Sequence, residues 1–332
     1  MSVATPSLTS PTLGSAHYAV IFPGQGSQSV GMLADWATQY PQIQQTFDEA
    51  SEALGFDLWA VCQGTHPTFN LDDTAYTQPA LLTASMAIWR VLQAELALTP
   101  SYLAGHSLGE YSALCASGVL SLADAVRLVH HRGQYMTEAM TNQQGKMSAI
   151  LGLTDDEVSD ICRQVVDDNA KAVVSPANFN ATGQVVIAGN ALGVDLASEA
   201  VLALGKKAMP LKVSVPSHCQ LMKPASDKLA NQFDSIEFAS PRIPVMQNRH
   251  AKIETDVSAI KQALIEQLSE PVLWSTIEDN LANQGVTLQI ECGSGAVLTN
   301  LAKRQAQKIP TLATDKVEKL EAIQQAINEI KK

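Results

Sequence analysis

Gly105-His106-Ser107-Leu108-Gly109 is the stretch that decides the fold. A short apolar run, Tyr102-Leu103-Ala104, leads into it, and a helix-like stretch, Glu110 to Ala116, follows. Strand, glycine-flanked serine and helix is the layout of a nucleophile elbow. Such a turn is too tight for side chains beside the serine, which accounts for glycine at 105 and 109. It holds the Ser107 hydroxyl clear of the sheet. It also aims the first amides of the next helix, which have no partner within that helix, at whatever the serine attacks. A free hydroxyl is a weak nucleophile at neutral pH, so the reading requires a base nearby. A glycine-softened turn with a capping serine would share the pattern. The strand–turn–helix context gives it its weight.

A chain of 332 residues accommodates one large domain with an insertion, or two domains. The net charge of −11 argues against nucleic acid as the main partner. Charged residues are 17% and apolar residues 46%, a balance that favours a filled core over disorder. Cys62, Cys115, Cys162, Cys219 and Cys292 are scattered and form no C-x-x-C pair, so neither a disulfide framework nor a metal site is expected. A reducing cytoplasm fits best. Residues 1–16 are rich in Ser, Thr and Pro, lack the features of a signal peptide, and read as a disordered tail. The most apolar long stretch, Ala80 to Leu98, contains Arg90 and Glu95 and reads as a buried amphipathic helix rather than a membrane span.

Outward from the elbow, Tyr18 to Phe22 is a short apolar strand followed by the glycine-rich loop Pro23-Gly24-Gln25-Gly26-Ser27-Gln28. Two nucleotide readings of this loop fail. A dinucleotide fingerprint needs a third glycine where Ser29 stands, and a P-loop needs lysine where Met32 follows Gly31. What survives is a loop whose bare amides can approach a ligand closely. Helical patterns run from Pro41 to Leu54 and from Pro79 onward. Gly118 closes the elbow helix, and Ser121 to Asp124 reads as the capping box of the next. In that helix Ala125, Leu128, Val129, Arg132, Met136 and Met140 share one face. Arg132 is thus a cation on an apolar stripe, where it needs an anionic partner. That partner is either an Asp or Glu of the chain or the carboxylate of a substrate.

From Lys146 to Val213 the rhythm changes. Strands are expected at Met147–Leu151, Ala172–Ser175, Gln184–Ala188 and Ala208–Val213, with Asn178–Gly183 as a turn. Helices are expected from the capping box at Thr154 to about Asn169, and over Leu192–Leu204. The order βαββαβ is ferredoxin-like. The predicted organisation is an α/β core, residues 17–144 and 214–332, carrying this unit as an insert over residues 145–213. Later elements are a helix around Ala259–Leu268, a strand at Leu288–Glu291, a helix after Gly293-Ser294-Gly295 ending near Gln307, and an amphipathic closing helix from Asp315.

Among seven histidines the best base is His218, which follows a strand in Val215-Pro216-Ser217-His218. A hydrogen-bonded surface histidine would read the same way. His106 should point away from the Ser107 hydroxyl by strand alternation. His130 and His131, adjacent on a helix, cannot share one ligand. In an α/β-hydrolase an acid precedes the histidine, but no acid stands out here.

Together these blocks resemble the malonyl-CoA:acyl carrier protein transacylases of bacterial fatty acid synthesis. The match is carried by Phe22 to Gln28, Gln78-Pro79-Ala80-Leu81, Gly105 to Tyr111, Arg132-Gly133, Asn178-Phe179-Asn180, Gln184 to Gly189 and Val215 to His218. It runs in order from Tyr18 to the last helix. The resemblance implies an α/β-hydrolase-like core with a ferredoxin-like insert. It implies Ser107 as nucleophile, His218 as base, and the backbone carbonyl of Gln267 as the group orienting His218. The amides of Gln25 and Leu108 would form the oxyanion hole. Arg132 would bind the free carboxylate of the acyl group, Met136 would line the acyl pocket and Gln78 would face the site. Ser294 stands where the family usually carries proline, which puts local loop rigidity in question. The implied reaction moves malonyl from coenzyme A to the thiol of acyl carrier protein through a malonyl-serine. It needs no cofactor, nucleic acid or membrane, and the chain is expected to be a monomer. The rival readings are a trans-acting polyketide-synthase acyltransferase and a serine esterase or thioesterase. Finally, an acidic protein with two anionic partners needs local basic charge. Lys206-Lys207 and Lys303-Arg304 are the candidates, expected to flank one cleft, with Lys206, Lys207 and Arg304 meeting substrate.

Overall fold

The computed structural model describes residues 17–213 and 215–331. The segment read as a tail lies outside the described residues.

Among the described residues nine strands form two sheets. In chain order they are β1 (His17–Phe22), β2 (Tyr102–Gly105), β3 (Gly145–Leu151), β4 (Val174–Ala181), β5 (Gln184–Asn190), β6 (Lys207–Pro210), β7 (Val245–Met246), β8 (Val286–Glu291) and β9 (Thr311–Ala313). The larger sheet has the order β7-β2-β1-β8-β9 and its strands pair in parallel. A parallel sheet is covered on both faces, so its strands read as unbroken apolar runs. β1 shows why. Tyr18, Val20 and Phe22 enter one core cluster, while Ala19 and Ile21 enter another with Trp274, Ile277 and Leu281. The elbow and the loops after β1, β7 and β8 all leave the carboxyl edge of this sheet, where α/β folds build their sites.

The smaller sheet is antiparallel, with the order β4-β5-β3-β6. Helices Asp155–Asp168 and Ala191–Ala203 connect its strands and close a separate cluster around Ile150, Val158, Val185, Ile187 and Val194. Its connectivity is the ferredoxin-like one expected. The capping box at Thr154 is present: Glu157 N–H donates to the Thr154 hydroxyl and the Glu157 carboxylate accepts from Thr154 N–H. The sheet is stapled to the larger unit. Phe179 N–H donates to the Val272 carbonyl at 3.0 Å, Val272 N–H to Ala177 at 2.9 Å, and the Gln305 amide to the Asn180 carbonyl at 2.8 Å.

Several expectations are corrected. Asn178 to Ala181 is not a turn but the second half of β4, with bulges on either side of Asn178–Phe179, and only Thr182-Gly183 turns the chain. Asn178 and Asn180 are polar because they face a cleft, not because they make a loop. The helix expected from Pro79 begins at Thr74 and runs to Leu96, with Pro79 inside it. Proline removes the bond that the Ala75 carbonyl would have accepted. His130 Nδ1 meets that carbonyl instead, at 2.7 Å. This helix is buried on nearly every face rather than amphipathic, and Arg90 at its margin pairs with Glu49 at 2.7 Å. The helix after Gly295 spans only Val297–Ala302. No helix among the described residues is long and apolar enough to cross a membrane.

Candidate active site

Ser107 lies just beyond β2 with φ 53° and ψ −110°, a conformation unusual for a residue with a side chain. Such residues cost on the order of 1–3 kcal/mol and persist only where their surroundings over-determine them. The glycines make the turn possible. A Cβ on Gly105 would lie 1.9 Å from the Gly109 carbonyl oxygen, and one on Gly109 would lie 2.0 Å from that of Phe22. The surroundings then fix it. Ser107 N–H donates to Asn248 Oδ1 at 2.7 Å, and the Asn248 amide donates to the Gly105 carbonyl at 2.6 Å. The Ser107 carbonyl accepts from Gln267 Nε2 at 3.0 Å and from Glu110 N–H at 3.1 Å.

The Ser107 hydroxyl is 2.7 Å from His218 Nε2. His218 is buried, not a surface histidine, and adopts φ 63° in its Pro-Ser turn. Its Nδ1 sits 2.6 Å from the Gln267 carbonyl oxygen. Gln267 is the last residue of helix Val257–Gln267, so that carbonyl has no partner in the helix and carries the negative end of the helix dipole. It does the orienting work usually given to an acid. Burial, and then the neighbouring Arg132 charge, push the His218 imidazole down to about 3. The ring is therefore neutral at physiological pH and free to take a proton.

Arg132 is 2% exposed and makes no ion pair among the described residues. Its partners are neutral. Nη1 donates to Gln78 Oε1 at 2.8 Å and lies 3.4 Å from Met136 Sδ, while Nη2 donates to Gln267 Oε1 at 3.0 Å and lies 3.5 Å from Ser107 Oγ. Its carbon sits 5.5 Å from the centre of the Tyr111 ring. Two strong bonds to amide oxygens aim the guanidinium. The two long contacts, to sulfur and to the serine hydroxyl, are the ones an incoming carboxylate can replace. A buried guanidinium held by neutral groups beside a nucleophile is arranged to receive an anion.

Ser107 opens into a cleft between the two sheets. Its walls include Gly24, Gln25 and Leu298 from the larger unit and Met147, Asn178, Asn180 and Leu211 from the smaller. Gln25 and Leu108 both line it, and neither backbone amide donates to another group among the described residues. The glycine-rich loop is folded so as to leave Gln25 N–H free. Ser27 bonds back to the Gly24 carbonyl at 2.9 Å, and Gln28 takes Gly26 N–H at 2.7 Å. Ser294 ties its own loop to this one by donating to the Ser27 carbonyl at 3.1 Å, so a hydroxyl supplies the restraint a proline would have given. Gln78 and Met136 touch Arg132 rather than the cleft wall. His106 does line the cleft, with Nε2 2.8 Å from Asn180 Oδ1. Period-two alternation ends with β2 at Gly105, so it does not govern the turn residue that follows.

The basic residues are not gathered as expected. Lys206, Lys207, Lys303 and Arg304 are exposed, and none lines the cleft. Lys206 lies against Gly152, at the end of β6 away from Leu211 and Val213, which do line it. A strand rises ~3.3 Å per residue, so the five residues from 206 to 211 separate the two ends widely. Arg304 donates to Gln184 Oε1 at 2.9 Å across the two units. Lys212, exposed between two cleft residues, is the lysine the fold brings to the rim.

Two residues were not singled out from sequence. Asn248 follows the two-residue strand β7, too short to leave a pattern. Glu110 had only its place after the elbow. It is fully buried, and burial pushes its carboxyl up to about 7 against the hydrogen bonds from Gln267 and Asn248 and the charge of Arg132, which favour the ionised form.

The acyl transferase domain family matches residues 19–328. The malonyl CoA-acyl carrier protein transacylase of Salmonella typhimurium is 53% identical over 289 residues, covering 87% of this chain and 92% of the relative. The crystal structure of FabD from Acinetobacter baumannii superposes with a TM-score of 0.91 at 47% identity, over 95% of this chain and 99% of that one. A malonyl-transacylase solved in complex with a type II polyketide acyl-carrier protein gives 0.90 at 47% identity, over 94% and 100%. By its matched blocks, its two sheets and the likeness of nearly its whole length, the chain belongs to the malonyl CoA-acyl carrier protein transacylase family.

Proposed function

We propose that the chain transfers a malonyl group from malonyl-CoA to the phosphopantetheine thiol of an acyl carrier protein through a malonyl-Ser107 ester. The observation that carries this reading is Arg132: a buried guanidinium with no ion-pair partner among the described residues, 3.5 Å from the nucleophile. An esterase needs the serine and histidine but has no use for that cation.

The steps follow from the geometry. His218 Nε2 takes the Ser107 proton as Oγ attacks the thioester carbonyl, and the Gln267 carbonyl stabilises the imidazolium through Nδ1–H. The amides of Gln25 and Leu108 receive the oxyanion, each such donor being worth ~3–4 kcal/mol. The tetrahedral adduct collapses, the C–S bond breaks, and the proton on His218 goes to the departing CoA thiol. The carrier thiol then gives its proton to His218 and attacks the ester, and Ser107 recovers its hydroxyl. This is ping-pong covalent catalysis between two thiol substrates. The nucleophile, base and oxyanion donors are all protein groups, so the reading assigns no cofactor. Residues 145–213 act as an inserted unit forming one wall of the cleft. The five cysteines are buried free thiols, which suits the reducing cytoplasm. We read the carrier as that of fatty acid synthesis; a polyketide carrier is the alternative, and the neighbour solved with such a carrier supports it as a second reading.

The test is partition. With holo acyl carrier protein present, the loaded protein should deliver malonyl to the carrier thiol faster than malonate appears in solution. Hydrolysis outrunning transfer would favour the esterase reading.

A further inference from the structure

The Glu110 carboxylate reaches neither the cleft, the Ser107 hydroxyl nor the His218 ring, yet it joins the groups that hold them. Oε1 accepts from Asn248 N–H at 3.2 Å, and Oε2 accepts from Gln267 Nε2 at 2.6 Å. Asn248 and Gln267 are the two side chains that grip the strained Ser107 peptide, one at its N–H and one at its carbonyl. Gln267 also holds Arg132 through Oε1, and its backbone carbonyl orients His218.

The chemistry of the amide makes Glu110 more than filler. A glutamine side chain can point either way, and its two ends are nearly equal in size. Here the sense matters. Nε2 gives both its protons, one to Glu110 and one to the Ser107 carbonyl, leaving Oε1 for the guanidinium. Reversed, the NH₂ group would face Arg132, donor against donor, and Oε1 would face two acceptors. A carboxylate presents acceptors at both oxygens and cannot donate, so it admits only the observed sense. A glutamine at 110 removes that constraint. Its single oxygen can serve Asn248 N–H or Gln267, not both, and its NH₂ group invites the Gln267 amide to reverse.

We propose that Glu110 is a positioning residue: its carboxylate sets the sense of the Gln267 amide and thereby aims Arg132 at the carboxylate of the acyl group. The proposal rests on the transferase reading above. It concerns selectivity more than the attack itself, because the bond from His218 to Gln267 uses a backbone atom that no amide reversal moves.

The test is Glu110→Gln, nearly isosteric, assayed for covalent loading from malonyl-CoA and acetyl-CoA. Malonyl loading should fall roughly 10- to 100-fold, the loss of one to two charge-assisted hydrogen bonds, while acetyl loading falls less. The malonyl:acetyl ratio of kcat/KM should therefore drop, by up to about 100-fold. In an Arg132→Ala background the same substitution should leave the ratio unchanged, since the group it acts through is gone. Equal losses for the two thioesters, or the same change of ratio with and without Arg132, would show that Glu110 only supports the fold and would overturn the proposal. If Glu110→Gln does not fold, Gln267→Met decides. It removes the amide and keeps the carbonyl, so a collapsed ratio supports the proposal and a preserved one overturns it. Unsubstituted protein that never loads malonyl refutes the transferase reading and this inference with it. Selective loading that survives Glu110→Gln refutes this inference alone.

Discussion

Arg132→Ala separates binding of the acyl carboxylate from the rest of the reaction. In the folded protein the guanidinium is aimed by Gln78 and Gln267 and offers an incoming carboxylate the positions now facing Met136 Sδ and Ser107 Oγ. Removing one partner of a buried, hydrogen-bonded ion pair costs about 3–5 kcal/mol. At 1.36 kcal/mol per decade this is a loss of roughly 10²- to 10⁴-fold in kcat/KM for malonyl loading. Acetyl-CoA has no carboxylate and forfeits none of this. It meets only the secondary effects: two amide oxygens lose a donor, and His218 loses a nearby positive charge. Those effects should change acetyl loading by about tenfold or less. The assay is quenched-flow loading of Ser107 from each thioester, with kcat/KM taken for both. A malonyl:acetyl ratio that falls by at least about 100-fold is expected. Equal losses would mean that Arg132 is a structural cation, and the argument from its neutral partners would fail.

Three further outcomes follow from the same geometry. His218, held down to about 3 by burial and Arg132, should stay neutral in an NMR titration down to pH 5, and an imidazole titrating near ~6.5 would contradict its placement. Because its folded value lies below its unfolded one, its contribution to stability is complete above the unfolded value and drains away as pH falls towards 3. Asn248→Ala should strand the buried Ser107 N–H and Gly105 carbonyl at ~1–3 kcal/mol each, read as a lower denaturation midpoint together with slower loading; unchanged stability would show that the elbow does not depend on this clamp. Lys212→Glu should raise KM for malonyl-CoA and carrier protein and flatten the salt dependence of kcat/KM, more than the pair Lys206→Glu and Lys207→Glu does, and the reverse order would place the encounter surface at the far end of β6.

The legible parts of the fold were those written in residue types and periods. The Gly-x-Ser-x-Gly turn, the capping box at Thr154, the apolar β1 and the βαββαβ order each follow from local chemistry, and the structure shows all four. Less legible were features created by tertiary partners. Pro79 reads as a helix start because nothing local reveals that His130 will satisfy the Ala75 carbonyl it leaves free. Asn178 and Asn180 read as a turn because asparagine favours turns, and only the cleft explains them as strand residues. In the site, serine, histidine and arginine carry signatures of type and spacing. The orienting carbonyl of Gln267 carries none, since every residue has a carbonyl, and it entered only through the family resemblance. The Asn248 clamp lies 141 residues from the serine it holds, on a two-residue strand that periodicity cannot detect.

The central claim is a covalent malonyl-Ser107 that a carrier thiol discharges. Intact-mass measurement after incubation with malonyl-CoA tests it directly. The account predicts a gain of one malonyl group in the unsubstituted protein, its loss when holo acyl carrier protein is added with matching gain on the carrier, and no gain in Ser107→Ala. Undiminished labelling of Ser107→Ala, or a label that the carrier does not accept, would contradict it.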